Sequence, residues 1–291
     1  MTPIAQPDLT GLHIGFIERR HPPGNTGSLV DDLVPLLREC GALVDVVHAE
    51  EGLHGVDTRP TWDLVVLKSG SAAALRLAAV AEAWGIPSVN SSDSTRLTQD
   101  KLASSALLQS AGLPIAKVHL AWLGPELSAA PDHARDIAAL SDRRLIVKAA
   151  RGSRGEGLWN VAPGELSGIA ASVPNGPYLL MEWIEHDGHD LKVFVAGDWM
   201  TAIERPFPAQ TLEEKRGYPV DLPDEVAAIA REAGQLLGLS CYGCDFVHGD
   251  SGWRLVDANA FPGFKGADDA SFAIARVVAD AAAHVRERSL A

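Results

Sequence analysis

Residues 245–259 read Asp-Phe-Val-His-Gly-Asp-Ser-Gly-Trp-Arg-Leu-Val-Asp-Ala-Asn, and this stretch decides the fold. Two apolar runs flank the turn residues 249–252, which is the pattern of a β-hairpin. Because side chains alternate along a strand, Asp257 and Asn259 share one face, and Asp245 can lie opposite them on the partner strand. Carboxylate and amide oxygens suit Mg²⁺. The hairpin therefore predicts a magnesium site, although Asp and Asn are also common turn residues at strand ends.

A glycine-rich segment upstream indicates phosphate binding. The apolar run Leu145–Val147 ends in Lys148, where a charge is costly unless it faces a ligand. The next residues, 149–157, read Ala-Ala-Arg-Gly-Ser-Arg-Gly-Glu-Gly. Glycine lets the backbone approach anionic oxygens closely and offers N–H groups to them. The segment is not a Walker loop, because the Gly-Lys-Ser/Thr ending is absent, and a plain glycine-rich turn is the competing interpretation.

Two further segments complete the pattern of a nucleotide site. Lys101 begins a helix, and the positive end of a helix dipole favours anions. The apolar run Leu179–Met181 leads into Glu182, which suits an adenine slot with a polar rim. Taken singly, a lysine such as Lys101 is more often a solvated helix lysine, and a methionine such as Met181 is more often a core residue.

The order of these segments resembles the ATP-grasp superfamily, most closely its RimK-like and glutathione-synthetase-like members. The resemblance rests on QDK, IVKAARGSRGEG, LLMEWIE, GCDF and LVDANAFPG, and covers about Asn90 to Gly266. It implies ATP as a substrate and Mg²⁺ as the metal, with Mn²⁺ as an alternative. It also implies that Lys101 and Lys148 contact the ATP phosphates and that a glycine loop folds over them, with contacts from Arg151, Gly152, Ser153, Gly155 and Gly157. The other residues that it implies for nucleotide binding are Glu182, Trp183, Ile184 and Asp190.

The resemblance also implies the metal ligands and the catalytic residues. Asp245, Asp257 and Asn259 are expected to hold Mg²⁺, with Asp257 standing where family members often have glutamate. Lys192 and Arg205 are expected to contact the transferred phosphoryl group or the carboxylate. Lys192 replaces the arginine that is commoner at its position, and a lysine cannot clamp a carboxylate through two parallel N–H donors.

Most members of this superfamily activate a carboxylate as an acyl phosphate, which an amine then attacks to form an amide bond. We therefore expect an ADP-forming ligase that acts on a small-molecule carboxylate and an amine. Segments 185–195 and 261–266 also resemble inositol-phosphate kinases, which transfer phosphate to a hydroxyl group, and this is the alternative function. A binding module without turnover is disfavoured, because both phosphate lysines and all three metal positions carry competent residues.

Three basic residues are candidate substrate contacts. Lys68 follows a strand in the first third of the chain, and ligands gather at the carboxyl ends of strands in open α/β sheets. His186 and Lys265 are the residues that would bind substrate phosphates under the kinase alternative. Each is equally well explained as a surface or turn residue.

Composition and charge limit the partners. The chain has 291 residues and a net charge of −13, which disfavours nonspecific nucleic-acid binding because such binding depends on neutralising phosphates. The longest apolar stretches, such as 71–86, are too short to span a bilayer, and the N-terminus lacks the pattern of a secretion signal. We expect a cytoplasmic protein that does not bind membranes, with a homodimer as one assembly open to it. The CxxC at Cys241 and Cys244 is expected to be a pair of buried thiols.

The pattern of apolar residues changes along the chain. Strands at 12–17, 43–47, 63–67 and 86–89 alternate with helices at 28–39 and 71–84, which predicts a parallel sheet. Later segments predict an α+β region with antiparallel strands: a helix at 98–111, a helical patch near 131–140, a hairpin at 191–203, an exposed loop at 208–221, a helix at 224–238, the hairpin 243–258 and a helix at 269–288. The pattern predicts an α/β N-terminal domain at 1–93. The resemblance implies that an ATP-grasp lid or central subdomain follows at 94–180, and a C-terminal ATP-grasp subdomain with the metal site at 181–291.

Overall fold

A computed structural model describes residues 7–20, 29–128, 131–140, 142–149, 158–207, 209 and 211–290. Its strands are β1 His13–Glu18, β2 Leu43–His48, β3 Leu64–Leu67, β4 Ser88–Val89, β5 Val118–Leu123, β6 Leu145–Ala149, β7 Leu158–Val161, β8 Gly176–Glu182, β9 His189–Ala196, β10 Trp199–Pro206, β11 Tyr218–Val220, β12 Cys241–Gly249 and β13 Gly252–Ala260. Its helices are α1 Leu29–Glu39, α2 Ala72–Ala83, α3 Ser92–Gln99, α4 Lys101–Ser110, α5 Pro125–Ser128, α6 Pro131–Ala138, α7 Leu166–Ser172, α8 Leu212–Arg216, α9 Asp224–Leu237 and α10 Ala270–Leu290.

The first four strands form the predicted parallel sheet, in the order β2-β1-β3-β4. Alternate residues of β3 enter two different cores, as the period of a strand requires. Leu64 and Val66 belong to a core that also contains residues of α1 and α10, whereas Val65 and Leu67 pack with residues of α2. Helices therefore supply apolar side chains to both faces of this sheet, which explains why β3 is buried along its whole length.

A second sheet has the order β11-β10-β9-β12-β13. Its strands β9 and β10 form the predicted hairpin, with Gly197 at a φ of +58° in the turn. Strands β11, β10, β9 and β12 pair antiparallel, which confirms the predicted class for this region. The side chain of Asn90, which follows β4, forms hydrogen bonds with the start of β12. Its amide donates to the carbonyl of Cys241 at 2.7 Å and accepts from the N–H groups of Ser240 and Cys241 at 2.8 and 3.0 Å.

The third sheet, β5-β8-β6-β7, is also antiparallel. One of its faces is apolar and packs against α6 and α7 through a core that includes Leu145, Val147 and Leu180. Ile146, Lys148 and Met181 alternate with these residues, so they lie on the opposite face. This sheet therefore separates an apolar, helix-covered face from one that carries the predicted phosphate lysine.

The chain forms two compact units. The first comprises Met1–Gln99, Gly188–Phe246 and Asp257–Ala291, and the second comprises Asp100–Asp187 and Val247–Val256. The predicted boundaries at 93 and 180 do not coincide with these limits. The core of the first sheet continues into residues of β9, β10, β12 and α10, and Asn90 is hydrogen-bonded to β12, so this sheet belongs to the first compact unit.

Two local predictions differ from the structure, and the helix α7 was not predicted. The helix predicted at 98–111 is two helices, because Asp100 interrupts them and caps α4 by accepting from the N–H of Ala103 at 3.0 Å. The loop predicted at 208–221 contains α8 and β11, since Thr211 and Glu214 form a capping box that starts the helix. Residue 28, the first residue of the helix predicted at 28–39, lies outside the described residues.

Two expectations about cysteines and membranes can be compared with the structure directly. Cys241 and Cys244 are buried free thiols, as expected, and so is Cys40; burial raises the pKa of Cys241. Within the described part of the chain, no helix is long and apolar enough to cross a membrane.

A glycine within α9 tests how tightly the first unit is packed. A Cβ on Gly234 would lie 2.1 Å from the ring of Tyr242, whose hydroxyl donates to the carbonyl of Ala230 at 2.9 Å. We expect Gly234→Ala to lower the free energy of unfolding by about 1–3 kcal/mol through overpacking, although alanine favours helices. As a control, Gly168→Ala in α7 enters open space and should raise stability by up to about 1 kcal/mol. Urea unfolding measures both changes, and equal effects would contradict the packing described.

Candidate active site

The hairpin of β12 and β13 carries the three predicted metal ligands, and on β13 two of them share one face as predicted. The amide of Asn259 donates to a carboxylate oxygen of Asp257 at 3.0 Å, so the two side chains do lie on the same face of β13. Asp245 lies on β12, where it is paired in register with Lys192 of β9, and it is buried. The positions of these three residues follow from strand period and register and not from any irregular loop.

Asp245 belongs to a group of four charged side chains that we call the buried charge cluster: Asp190, Lys192, Arg205 and Asp245. Arg205 donates to both carboxylate oxygens of Asp190, at 2.6 and 2.7 Å, and its second donor lies 3.2 Å from Asp245. Lys192 donates to the same oxygen of Asp245. Asp190 is only 2% exposed, so this is an interior ion pair with little solvent.

The strand register produces this cluster. Asp190 and Lys192 are two residues apart on β9 and therefore share one face. Asp190 is paired with Arg205 of β10, and Lys192 is paired with Asp245 of β12. Cross-strand neighbours have Cβ atoms about 4.5–5.5 Å apart, which lets these side chains meet. Three adjacent strands thus each contribute charges to the same side of the sheet.

Burial and the neighbouring charges shift the pKa values of the buried charge cluster in opposite directions. Burial raises the pKa of Asp190, although the hydrogen bonds and charge of Arg205 act in the opposite direction. For Arg205, burial acts to lower the pKa, but the hydrogen bond with Asp190 and the charges of Asp245, Asp190 and Asp257 outweigh it and raise the pKa overall. Asp257 is therefore close enough to act electrostatically on the cluster.

These residues fit a magnesium ion. Three carboxylates, of Asp190, Asp245 and Asp257, face two cations, so the group carries one excess negative charge that a divalent ion would offset. Asp245, Asp257 and Asn259 offer the hard oxygen donors that Mg²⁺ prefers. Among the described residues no group of three or more His, Cys, Asp or Glu side chains could hold a metal. A set of two carboxylates and one amide suits Mg²⁺, which usually keeps waters and takes phosphate oxygens as further ligands.

In the second unit, the residues predicted to bind the nucleotide do not all lie on one face of the third sheet. Lys101 is the first residue of α4, as predicted, and Lys148 lies on the face of the third sheet opposite the helices. Glu182 is paired in register with Leu145, so its side chain lies on the helix-covered face and accepts from the N–H of Lys117 at 3.3 Å. Glu182 and Lys148 therefore point to different faces, and a nucleotide on the lysine face would meet the backbone of Glu182. The loop Arg151–Gly157, with its five predicted contacts, lies outside the described residues.

The residues that follow β8 pack against one another and against Arg144, which precedes β6. The guanidinium of Arg144 lies 4.2 Å from the ring of Trp183, and the ring of His186 lies 5.2 Å from it. Ile184 approaches Gly249 so closely that a Cβ there would lie 2.8 Å from its methyl group. The rings of Trp183 and His186 are thus in tilted contact at this end of the strand, with an interplanar angle of 40°, and a larger residue at position 249 would force Ile184 to shift.

The other two candidate substrate residues lie near the loop that follows β13. Lys68 is half-buried, its ammonium group donates to the carbonyl of Phe261 at 3.0 Å, and burial lowers its pKa to about 8, although Glu18 acts to raise it. It therefore fixes the backbone of this loop. Lys265 lies within the loop, and burial together with Lys215 and Arg216 lowers its pKa. Sequence reasoning missed Arg216 and Glu18, and no motif marks either residue.

Comparison with solved structures identifies the fold. A RimK-domain ATP-grasp protein from Sphaerobacter thermophilus DSM 20745 matches the fold with a TM-score of 0.71 at 18% identity, over 92% of this chain and 98% of that one. The ATP-grasp ligase PsnB, solved with a minimal precursor, Mg and ADP, matches with a TM-score of 0.63 at 19% identity, over 94% and 98% of the two chains. The fold is that of the ATP-grasp ligases, which confirms the predicted fold class.

The sequence comparisons give the family. The model of the RimK-like ATP-grasp domain matches residues 98–281, and the chain belongs to this family. It is 31% identical over 229 residues to a probable alpha-L-glutamate ligase of Klebsiella pneumoniae (strain 342), covering 72% of each chain. The protein is therefore an ATP-grasp enzyme of the carboxylate–amine ligase family, which uses ATP and magnesium. The resemblance to this family is confirmed.

The ion pair between Asp190 and Arg205 should be essential for stability. We expect Arg205→Met to lower the free energy of unfolding by about 3–5 kcal/mol, because it leaves the Asp190 carboxylate buried without its partner. Adding Asp190→Leu to this variant should restore most of the loss, since an apolar pair of similar volume replaces the charges.

The control for this measurement is an exposed pair of the same chemistry. Arg20 donates to both carboxylate oxygens of Glu51, at 2.5 and 2.7 Å, in a solvent-exposed setting. Arg20→Met should change stability little, because water screens such pairs. Urea unfolding of the variants compares them, and an Arg205→Met variant as stable as Arg20→Met would show that the buried pair is not structural.

Proposed function

We propose that this enzyme is an ADP-forming ligase that activates a carboxylate as an acyl phosphate and joins it to an amine, with L-glutamate as the first candidate for both substrates. The observation that carries the proposal is the buried charge cluster beside Asp257 and Asn259. It combines hard oxygen donors for a metal with two cations for a transferred phosphoryl group. The choice of L-glutamate rests on the relatives named probable alpha-L-glutamate ligase.

In the first unit we assign the metal to Asp245, Asp257 and Asn259. When bound there, Mg²⁺ would neutralise charge on phosphate oxygens. Lys192 and Arg205 each contact Asp245, so two positive charges lie where the phosphoryl group would be transferred. Both oxygens of Asp190 are occupied by Arg205. We therefore assign Asp190 the role of positioning Arg205 in place of the direct nucleotide contact expected from the sequence.

In the second unit we assign the phosphates of ATP to Lys101 and Lys148. Lys101 combines its own charge with the N-terminal end of α4, where backbone N–H groups point outward. We assign the adenine to the backbone of Glu182 and Ile184, because the Glu182 side chain lies on the other face of the sheet. The sequence resemblance assigns the covering of the phosphates to residues 151–157, which lie outside the described residues.

The proposed reaction needs no covalent nucleophile from the protein. A carboxylate oxygen attacks the γ-phosphorus of ATP, and ADP leaves. The amine then attacks the carbonyl carbon of the acyl phosphate and loses a proton, and inorganic phosphate leaves with the oxygen that came from the carboxylate. Positioning and charge neutralisation supply the rate enhancement. Lys192 and Arg205 are suited to this task because strand register and ion pairs hold them in place before substrate arrives.

Substitution of one metal ligand tests this assignment. We expect Asp257→Asn to reduce ATP turnover at least about a hundredfold, because an electrostatic contact to the reacting phosphates is lost. The variant should keep the wild-type unfolding midpoint. It should also lose the part of its ADP affinity that depends on Mg²⁺, measured by calorimetry with and without the metal.

The matched control is Asp250→Asn, which removes an exposed carboxylate from the turn of the same hairpin. It should leave turnover and magnesium-dependent ADP binding unchanged. Near-normal activity in the Asp257→Asn variant would refute the metal assignment. Formation of ADP together with a phosphorylated acceptor and without free phosphate would instead indicate a phosphotransferase.

A further inference from the structure

A pocket of about 230 Å³ in the second unit lies on the helix-covered face of the third sheet. Its lining includes Glu182 of β8 and Leu145 of β6, which are paired in register and share that face. His119 of β5 also lines it and is paired with Leu180, whose side chain belongs to the apolar core on the same face. Lys148 lies on the opposite face. The pocket, which we call the rear pocket, is therefore separate from the surface assigned to the ATP phosphates.

Positive charge prevails in the wall of the rear pocket. The wall contains three cationic side chains, one imidazole and two carboxylates: Lys117, Arg143, Arg144, His119, Glu182 and Glu185. With the histidine counted as neutral, three cations against two carboxylates leave one excess positive charge. The chain as a whole carries a net charge of −13, so the sign of the rear pocket is opposite to that of the molecule. Such a local excess of cations favours a negatively charged ligand.

The two carboxylates of the wall leave the cations accessible to an anion. One oxygen of Glu182 accepts from the backbone N–H of Lys117 at 3.3 Å, so part of its charge is used within the sheet. The side chain of Glu185 is 73% exposed, and its carboxylate lies 3.6 Å from the guanidinium of Arg144, beyond the usual length of a hydrogen bond. An exposed pair of this kind contributes about 0–1 kcal/mol, so an anion with several charged oxygens can compete for the arginine.

The rear pocket is also lined by a side chain whose buried donor has no acceptor. The indole Nε1 of Trp183 is buried, and it has no hydrogen-bond partner among the described residues. An unpaired buried donor costs about 1–3 kcal/mol, which a ligand oxygen would recover. The guanidinium of Arg144 lies 4.2 Å from the centre of the indole ring, and the backbone N–H of Trp183 donates to the carbonyl of Arg144 at 3.2 Å. The indole and the guanidinium are therefore held together before any ligand binds.

We propose that the rear pocket binds a phosphate group, held by Lys117, Arg143 and Arg144 with the indole N–H of Trp183 as a further donor. All four side chains are donors only, and a phosphate group offers three strong acceptor oxygens and a charge of about −1.5 to −2. The volume is below the range of about 300–1,000 Å³ that is typical of small-molecule sites. It therefore favours inorganic phosphate or a small phosphate ester over a second nucleotide.

NMR on the ¹⁵N-labelled full chain tests the proposal through the indole N–H of Trp183, with inorganic phosphate as the probe. A saturating non-hydrolysable ATP analogue with Mg²⁺ fills the nucleotide site, so that phosphate cannot bind there. The chain has 7 tryptophans, and the Trp183→Phe variant identifies the signal. We expect this signal to shift saturably with phosphate, because a ligand oxygen accepts its hydrogen bond. Lys117→Gln and Arg143→Gln should each weaken the apparent affinity about tenfold, the usual effect of losing a hydrogen bond between charged groups.

The matched control is Arg135→Gln in α6. The side chain of Arg135 is 76% exposed, pairs with Asp132, and is not part of the wall of the rear pocket. Its loss should change the phosphate affinity less than about twofold, since it removes only a screened surface charge. Lys117, Arg143 and Arg135 are all exposed, so the three variants should keep the wild-type unfolding midpoint. A weaker affinity in the first two variants then reports on the site and not on the fold.

Two further probes identify the class of ligand and its source. Glycerol 3-phosphate that binds more tightly than inorganic phosphate indicates a phosphorylated small molecule, and the reverse order indicates free phosphate; both results support the site. Acetate at the same ionic strength should leave the Trp183 signal in place, because it carries a single charge and only two oxygens. An equal shift with acetate, no shift with either phosphate compound, or an affinity that ignores both the Lys117 and Arg143 substitutions would overturn the proposal.

Discussion

The bidentate ion pair between Asp190 and Arg205 is the interaction on which the rest of the candidate site depends. It crosses from β9 to β10 with almost no access to solvent, so neither charge can be removed alone without leaving the other buried. It also fixes the guanidinium of Arg205 beside Asp245, which is in turn held by Lys192. One structural pair therefore determines where the cations assigned to phosphoryl transfer lie, and it couples the stability of the second sheet to the proposed chemistry.

The parts of the site that strand geometry controls could be predicted from the sequence. Asp257 and Asn259 share a face because the period of a strand is two, and the observed hydrogen bond between them confirms it. The sequence also predicted that Lys148 lies at the end of an apolar strand. It did not predict the face of the sheet on which the Glu182 side chain lies. Its orientation depends on its register with Leu145, a residue 37 positions earlier in the chain, and no local pattern determines that register.

Long-range contacts account for what could not be predicted. The side chain of Asn90 joins the end of β4 to Cys241 of β12, 151 residues later, so the first sheet shares a compact unit with this strand, and no local pattern near residue 93 indicates that contact. Arg216 meets Lys265 only because Gly266 lets its backbone touch the end of α8. The start of α8 itself was predictable, since Thr211 and Glu214 have the spacing of a capping box, but a five-residue helix is too short to show apolar periodicity.

The central claim is that this enzyme passes a phosphoryl group to a carboxylate before forming an amide bond. Isotope transfer measures this step most directly. The enzyme would be incubated with ATP, Mg²⁺ and L-glutamate whose carboxylates carry ¹⁸O, and the released phosphate analysed by mass spectrometry. The account predicts one ¹⁸O atom in each phosphate released, because phosphate leaves with the oxygen of the activated carboxylate. Amide product accompanied by phosphate without ¹⁸O would contradict it.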